Sequence, residues 1–203
     1  MFSLRRARML AGMGLRRVRV RVSLLSGVRG ALASEGLAND VAIVGSGGFV
    51  EGRGAAAALA LALGAEWFMM GTRVLSASET ALHPNWRAEV LRANDGCQGT
   101  AKSMLFDGLR GPSIWPEGYD GRGLVNARSG DFDEGIGIDE IRRLFAEASQ
   151  GADGGFGADG KGRAAMCAGT RVGLVNKERS AAEIVEEVRD GVRKALEDAK
   201  ARL

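Results

Sequence analysis

Residues 41–72 read "VAIVGSGGFVEGRGAAAALALALGAEWFMMGT". The segment opens on an apolar run, Val41–Val44, and breaks off in Gly45-Ser46-Gly47-Gly48. An apolar strand without alternation is expected where both faces are covered. The glycines after it fit either a tight turn or a loop whose bare backbone closes on a phosphate. Gly54–Leu63 then reads as an alanine- and leucine-rich helix with Gly64 as its stop. Trp67–Met70 is a second apolar strand, ending in Gly71-Thr72-Arg73. Two buried strands joined by a helix predict a right-handed βαβ unit and a parallel sheet.

Upstream, Leu24, Leu25, Val28 and Leu32 recur at helical spacing and Gly36 ends the segment. Downstream, Trp86–Ala93 reads as a short helix, Thr100–Phe106 as a strand, and Gly108 to Gly123 as a proline- and glycine-bearing loop. Ile138, Ile141, Leu144, Phe145 and Ala148 mark an amphipathic helix. "QGADGGFGADGKG" (150–162) reads as a flexible, solvated loop. A last helix opens on the capping-box pair Ser180 and Glu183 and turns Ile184, Val188, Val192 and Leu196 inward.

The 203-residue chain is 45% hydrophobic and carries 31 glycines, enough apolar content for a proper core. No apolar run is long enough to span a bilayer. Cys97 and Cys167 lie outside any CxxC or Cys/His pattern and read as reduced thiols, pointing to a cytoplasmic protein. The net charge of +3 is uneven: residues 1–30 hold eight arginines and no acid precedes Glu35, whereas the rest carries 20 basic against 25 acidic side chains. That mildly acidic body argues against a nucleic-acid face. The arginine-rich start, residues 1–22, is expected to be disordered. It reads as a presequence that would direct the chain to mitochondria, as a basic arm, or as the product of a mis-set start.

Two phosphate motifs fail on inspection. Gly45-Ser46-Gly47-Gly48-Phe49-Val50 has valine where a dinucleotide fingerprint needs its third glycine, and Glu66 precedes the second strand instead of closing it. Gly155 to Lys161 matches G-x-x-x-x-G-K, but Gly162 replaces the hydroxyl residue that would bind Mg²⁺. What survives is a pair of loops, Gly47-Gly48 and Gly71-Thr72, leaving neighbouring parallel strands at the same end. In an α/β barrel that end carries the phosphate site.

The stretch "GSGGFVEGRGAAAALALALGAEWFMMGTRVL" (45–75) resembles the seventh-to-eighth strand region of the nitronate monooxygenases, formerly 2-nitropropane dioxygenases. "LRGPSIWPEGYDGRGLVN", "AGTRVGLVN" and "SAAEIVEEVR" resemble the C-terminal segment of the fungal-type members. The similarity covers residues 23 to 200 and implies the C-terminal portion (23–203) of an FMN-binding TIM (α/β) barrel: strands seven and eight plus a C-terminal helical extension. It implies a flavoprotein oxidoreductase that oxidises an alkyl nitronate or nitroalkane with O₂. Carried across, Gly47, Gly48, Gly71 and Thr72 would hold the FMN phosphate with Met70 beside them, and Gly169 and Thr170 would lie near the flavin. Other FMN barrels, such as flavin-dependent enoyl reductases, share such loops. The family's first six strands and its catalytic histidine have no counterpart here, so no catalytic residue is assigned; His83 reads as a surface or packing residue. The expected product is a truncated enzyme or a non-catalytic flavin-binding remnant, open to self-association through its exposed barrel edges.

Overall fold

A computed structural model describes residues 21–51, 60–109, 111, 116 and 119–203. The arginine-rich residues 1–20, most of the Gly54–Leu63 helix and part of the Gly108–Gly123 loop lie outside the described residues. Helix α1 (Arg21–Ser34) ends as its sequence requires: Gly36 takes φ +71°, and Leu37 N–H donates back to the Leu32 carbonyl at 2.8 Å. Strands β1 (Val44–Ser46) and β2 (Trp67–Met69) pair in parallel, with Val44 opposite Trp67 and Ser46 opposite Met69. The helix between them closes at Gly64 (φ +91°), where Ala65 N–H reaches the Ala60 carbonyl at 2.9 Å.

The first strand lies three residues later than its apolar run suggests. Val41–Ile43 leads in, and the Ile43 carbonyl accepts the amides of both Glu66 and Trp67, which sets the parallel register. The two strands are also not covered on both faces. Phe68, Met70, Ile43 and Phe49 pack against α1, Ala60 and the C-terminal helix, while Val44, Trp67 and Met69 face solvent, Trp67 at 68% exposure.

Beyond β2, a 3-10 turn (Thr72–Ser76) leads to α2 (Pro84–Arg92), in the place expected for Trp86–Ala93. The strand expected over Thr100–Phe106 stops early: β3 is Thr100–Ser103, followed by a one-turn helix, α3 (Leu105–Gly108). The proline-glycine loop ends in a strand, β4 (Gly121–Leu124), antiparallel to β3. One glycine there, Gly123, allows a close approach that no side chain would permit. A Cβ on Gly123 would sit 2.8 Å from the Met166 carbonyl oxygen and as close to the Phe106 ring. Then come α4 (Ala127–Asp133), α5 (Ile138–Ser149) and a 3-10 turn (Val172–Leu174). The chain's last helix is α6 (Ala181–Lys200).

Residues 150–162 form the expected loop, exposed at 150–152, Ala158, Asp159 and Lys161, but it packs on the body at its middle. Phe156 stacks between His83 (4.9 Å) and Trp86 (5.7 Å), and its carbonyl accepts Asn85 Nδ2 at 2.6 Å. In α6, Ile184, Val188 and Val192 are buried as expected, but Leu196 is exposed, and Ala195 makes the last contact with the core. A second core joins Val50, Val90, Leu124, Met166, Val172 and Val175; a third joins Leu105, Leu109 and Ile141.

Candidate functional site

The parallel register fixes where the two glycine loops begin. The ladder ends with Ser46 opposite Met69, and the chain passes directly into Gly47-Gly48 after β1 and into Met70-Gly71-Thr72 after β2. Neighbouring strands run about 4.8 Å apart, so the two loops leave the C-terminal edge of the sheet side by side. Gly47 (φ +94°) and Gly48 (φ +76°) both hold left-handed backbone, which lets the chain reverse without side chains in the way. Phe49 and Val50 anchor the loop, Phe49 against Phe68 with ring centroids 5.5 Å apart and Val50 in the second core. Gly71 is exposed, with open space where a Cβ would stand.

Thr72 opens the 3-10 turn, and its Oγ1 accepts the Gly169 amide at 2.9 Å. Two glycine-threonine stretches 97 residues apart are thereby joined. Met70 is half-buried and packs against the first core, on the helix side of the sheet. Thr170 is exposed, and its carbonyl lies against Gly96. So the structure gathers Gly47, Gly48, Gly71 and Thr72 at one sheet edge, brings Gly169 to Thr72, and turns Met70 into the core.

Arg73 follows this motif but faces the body. It is 4% exposed; Nη1 donates to Ser76 Oγ (2.7 Å) and the Lys177 carbonyl (3.2 Å), and Nη2 pairs with Glu187 Oε2 (3.1 Å), which Arg179 also holds. Its task is to staple the 3-10 turn to α6. Arg73 is thus not aimed at the loops, and among the described loop residues an oxyanion would be held by N–H and O–H donors. His83 caps α2: its Nδ1 accepts the Asn85 amide at 3.2 Å.

Some groups gave no signal in the sequence. Glu79 accepts the Ala181 amide with both carboxylate oxygens at 3.0 Å, and that bond holds its carboxyl below the usual range. Arg128 is fully buried over the Phe106 ring at 4.7 Å, with one hydrogen bond to the Arg163 carbonyl; burial pushes its pKa down to about 10. Cys97 and Cys167 are free and exposed. Among the described residues no cluster of His, Cys, Asp and Glu could hold a metal, and no helix is long and apolar enough to cross a membrane.

The fold, with its parallel pair and flanking helices, is shared with solved α/β enzymes. FabK from Thermotoga maritima superposes with a TM-score of 0.65 at 19% identity, covering 96% of this chain and 55% of that one. A nitroalkane oxidase from Streptomyces ansochromogenes superposes at 0.60 and 22% identity, covering 88% and 45%. No family model matches the chain. In sequence it is 39% identical over 182 residues to nitronate monooxygenase npaC of Metarhizium robertsii, covering 90% of this chain and 49% of that protein. It is 35% identical over 180 residues to a nitronate monooxygenase of Neurospora crassa, covering 89% and 45%. The chain is a homologue of the nitronate monooxygenases and spans about half the length of the curated relatives it matches.

Proposed function

We propose that the chain carries the phosphate-binding end of an FMN site in an oxidoreductase of the nitronate monooxygenase type. The observation behind this reading is that Gly47-Gly48 and Gly71-Thr72 follow the ends of two paired parallel strands, at the same edge of the sheet. Bare backbone and one hydroxyl suit the several oxygens of a phosphate, and the open space at Gly71 leaves room for it. Bound FMN would supply the redox chemistry, with an alkyl nitronate as donor and O₂ as acceptor. Gly47, Gly48, Gly71 and Thr72 would anchor the phosphate. Met70 would act from behind the strand, and the 169–170 segment would close the site through Thr72. A nitronate supplied already ionised needs no base, whereas a nitroalkane needs one to take its α-proton.

In this reading β1 and β2 are the seventh and eighth strands of a barrel whose inner wall is the face bearing Val44, Trp67 and Met69. That face would be covered by further strands of the same kind, or by a second copy of the chain through self-association. Residues 23–203 would form the barrel portion and residues 1–22 a separate basic segment.

A second reading, flavin or phosphate binding without turnover, is favoured by the side chains at the loops: none of Ser46, Gly47, Gly48, Met70, Gly71 and Thr72 titrates as a base. One experiment serves both. The chain is incubated with FMN, desalted, and its absorption spectrum recorded. Retained flavin bands support the site, and O₂ uptake with an alkyl nitronate then separates enzyme from remnant. A colourless protein would end the flavin reading and leave only phosphate binding to be tested.

A further inference from the structure

The Thr72–Gly169 bond constrains more than it joins. A threonine hydroxyl has one hydrogen to donate and lone pairs that accept. With the Gly169 amide on one lone pair, the O–H is confined to the remaining directions, and it donates to no group among the described residues. The segment supplying that amide is itself clamped. A Cβ on Gly169 would stand 3.2 Å from Thr72 Oγ1, so the segment lies close against the hydroxyl at this glycine. Behind it, a Cβ on Gly96 would overlap the Thr170 carbonyl oxygen, and one on Gly173 would lie 2.6 Å from the Asn94 carbonyl. At its root the segment is tied to β4, through Leu124 N–H to the Met166 carbonyl (2.8 Å) and Ala168 N–H to the Arg122 carbonyl (3.3 Å). Residues 166–173 are therefore a strap held by the second core, with one amide extended to the edge of the parallel sheet.

We propose that Gly169 is a positioning residue: its amide fixes the Thr72 hydroxyl so that the single O–H is directed to a phosphate lying between the Gly47-Gly48 and Gly71 loops. This rests on the phosphate-site reading above and deepens it, because it makes the strap part of what distinguishes a phosphorylated ligand from a neutral one. An acceptor-loaded hydroxyl with a directed proton costs little reorganisation when the anion arrives. The strap thereby couples the C-terminal body to a site built from the β1–β2 pair.

The test uses inorganic phosphate as the probe, titrated into the full chain and read at the backbone amide resonances. The expected result is that Gly169 responds together with Gly47 and Gly48, and that Thr72→Ser keeps this response. Thr72→Val should weaken phosphate about tenfold, the loss of one hydrogen bond to a charged group. It should also speed hydrogen exchange at the Gly169 amide, while the α6 amides stay unchanged as a control on folding. A Thr72→Val chain that binds phosphate as tightly as the wild type, or a Gly169 resonance indifferent to phosphate, would overturn the proposal. FMN retention on the same preparations judges the flavin reading separately. Phosphate bound through Thr72 with no FMN retained sinks the flavin and leaves the positioning role standing. FMN retained equally by wild type and Thr72→Val sinks the positioning role alone.

Discussion

The β1–β2 pair and the body that follows it solve the same problem with opposite success. From Thr100 to Val175 the chain is closely packed: β3 and β4 pair, Phe106 lies against Gly123, and Leu105, Ile141, Met166, Val172 and Val175 are buried to 1% exposure or less, the last three in one core with Val50 and Val90. The β1–β2 pair buries one face against α1 and α6 and leaves Val44, Trp67 and Met69 in solvent on the other. Among the described residues this sheet has two strands, and its exposed apolar face is the kind of surface on which association occurs. Among the described residues the body is covered, partly by Val50 and Val90, and the β1–β2 pair keeps one face bare.

That contrast can be broken most sharply where the body grips the site. Gly96→Ala forces a Cβ into the Thr170 carbonyl, and the obstacle is backbone rather than a side chain that could swing away. The expected loss is about 3 kcal/mol, measured from urea unfolding midpoints. If Gly96→Ala unfolds like the wild type, the strap is loosely held and the comparison between a tight body and an open pair fails. Next in size is Arg73→Met, which removes a buried guanidinium from Ser76, the Lys177 carbonyl and Glu187. A loss of about 2 kcal/mol is expected, and calorimetry should show it as a lower Tm.

How far the sequence foretold these contacts follows from their range. The parallel pair was legible because two apolar runs each end in glycine, and α6 because Ser180 and Glu183 announce its start; both bonds of that capping box are present. The β4 strand was not legible. Gly121-Arg122-Gly123 has no strand propensity and pairs only because bare backbone is what Phe106 and Met166 can accept. The glycine-dense 150–162 stretch suggested solvent, yet one residue, Phe156, is captured between His83 and Trp86. Of the site, the two glycine loops could be read locally. The Thr72–Gly169 bond and the Arg73–Glu187 pair span 97 and 114 residues, and no local pattern encodes them.

A smaller effect probes how α6 is fixed against the pair. Its N-terminus is held by Ser180 Oγ accepting the Glu183 amide (3.2 Å), by Glu183 accepting the Ser180 amide (2.8 Å), and by Glu79 on the Ala181 amide. Ser180→Ala should cost about 1 kcal/mol, read as a shift in the urea midpoint. The pH dependence has a fixed sign. The amide of Ser180 holds the Glu183 carboxyl below its usual range, and that of Ala181 does the same for Glu79. Their contribution is therefore complete above the ordinary carboxylate pKa and is lost as pH falls through the lowered values. Glu79→Gln should flatten the acid limb of the stability profile. An unchanged limb would mean that the cap bonds do not persist in solution.

The smallest effect on stability belongs to the most exposed ring. Trp67 is 68% exposed and stands opposite Val44 on the bare face, so it has few contacts to lose. Trp67→Ser should shift the unfolding free energy by no more than about 0.5 kcal/mol. If the face is covered in solution by a second copy, the same substitution should convert an oligomer to a monomer in light scattering. It should also remove the concentration dependence of Tm that association produces. A large stability loss in a chain that is monomeric throughout would mean that Trp67 is buried by the chain itself. The open half of the comparison would then close, and with it the reading of this face as the inner wall of a barrel.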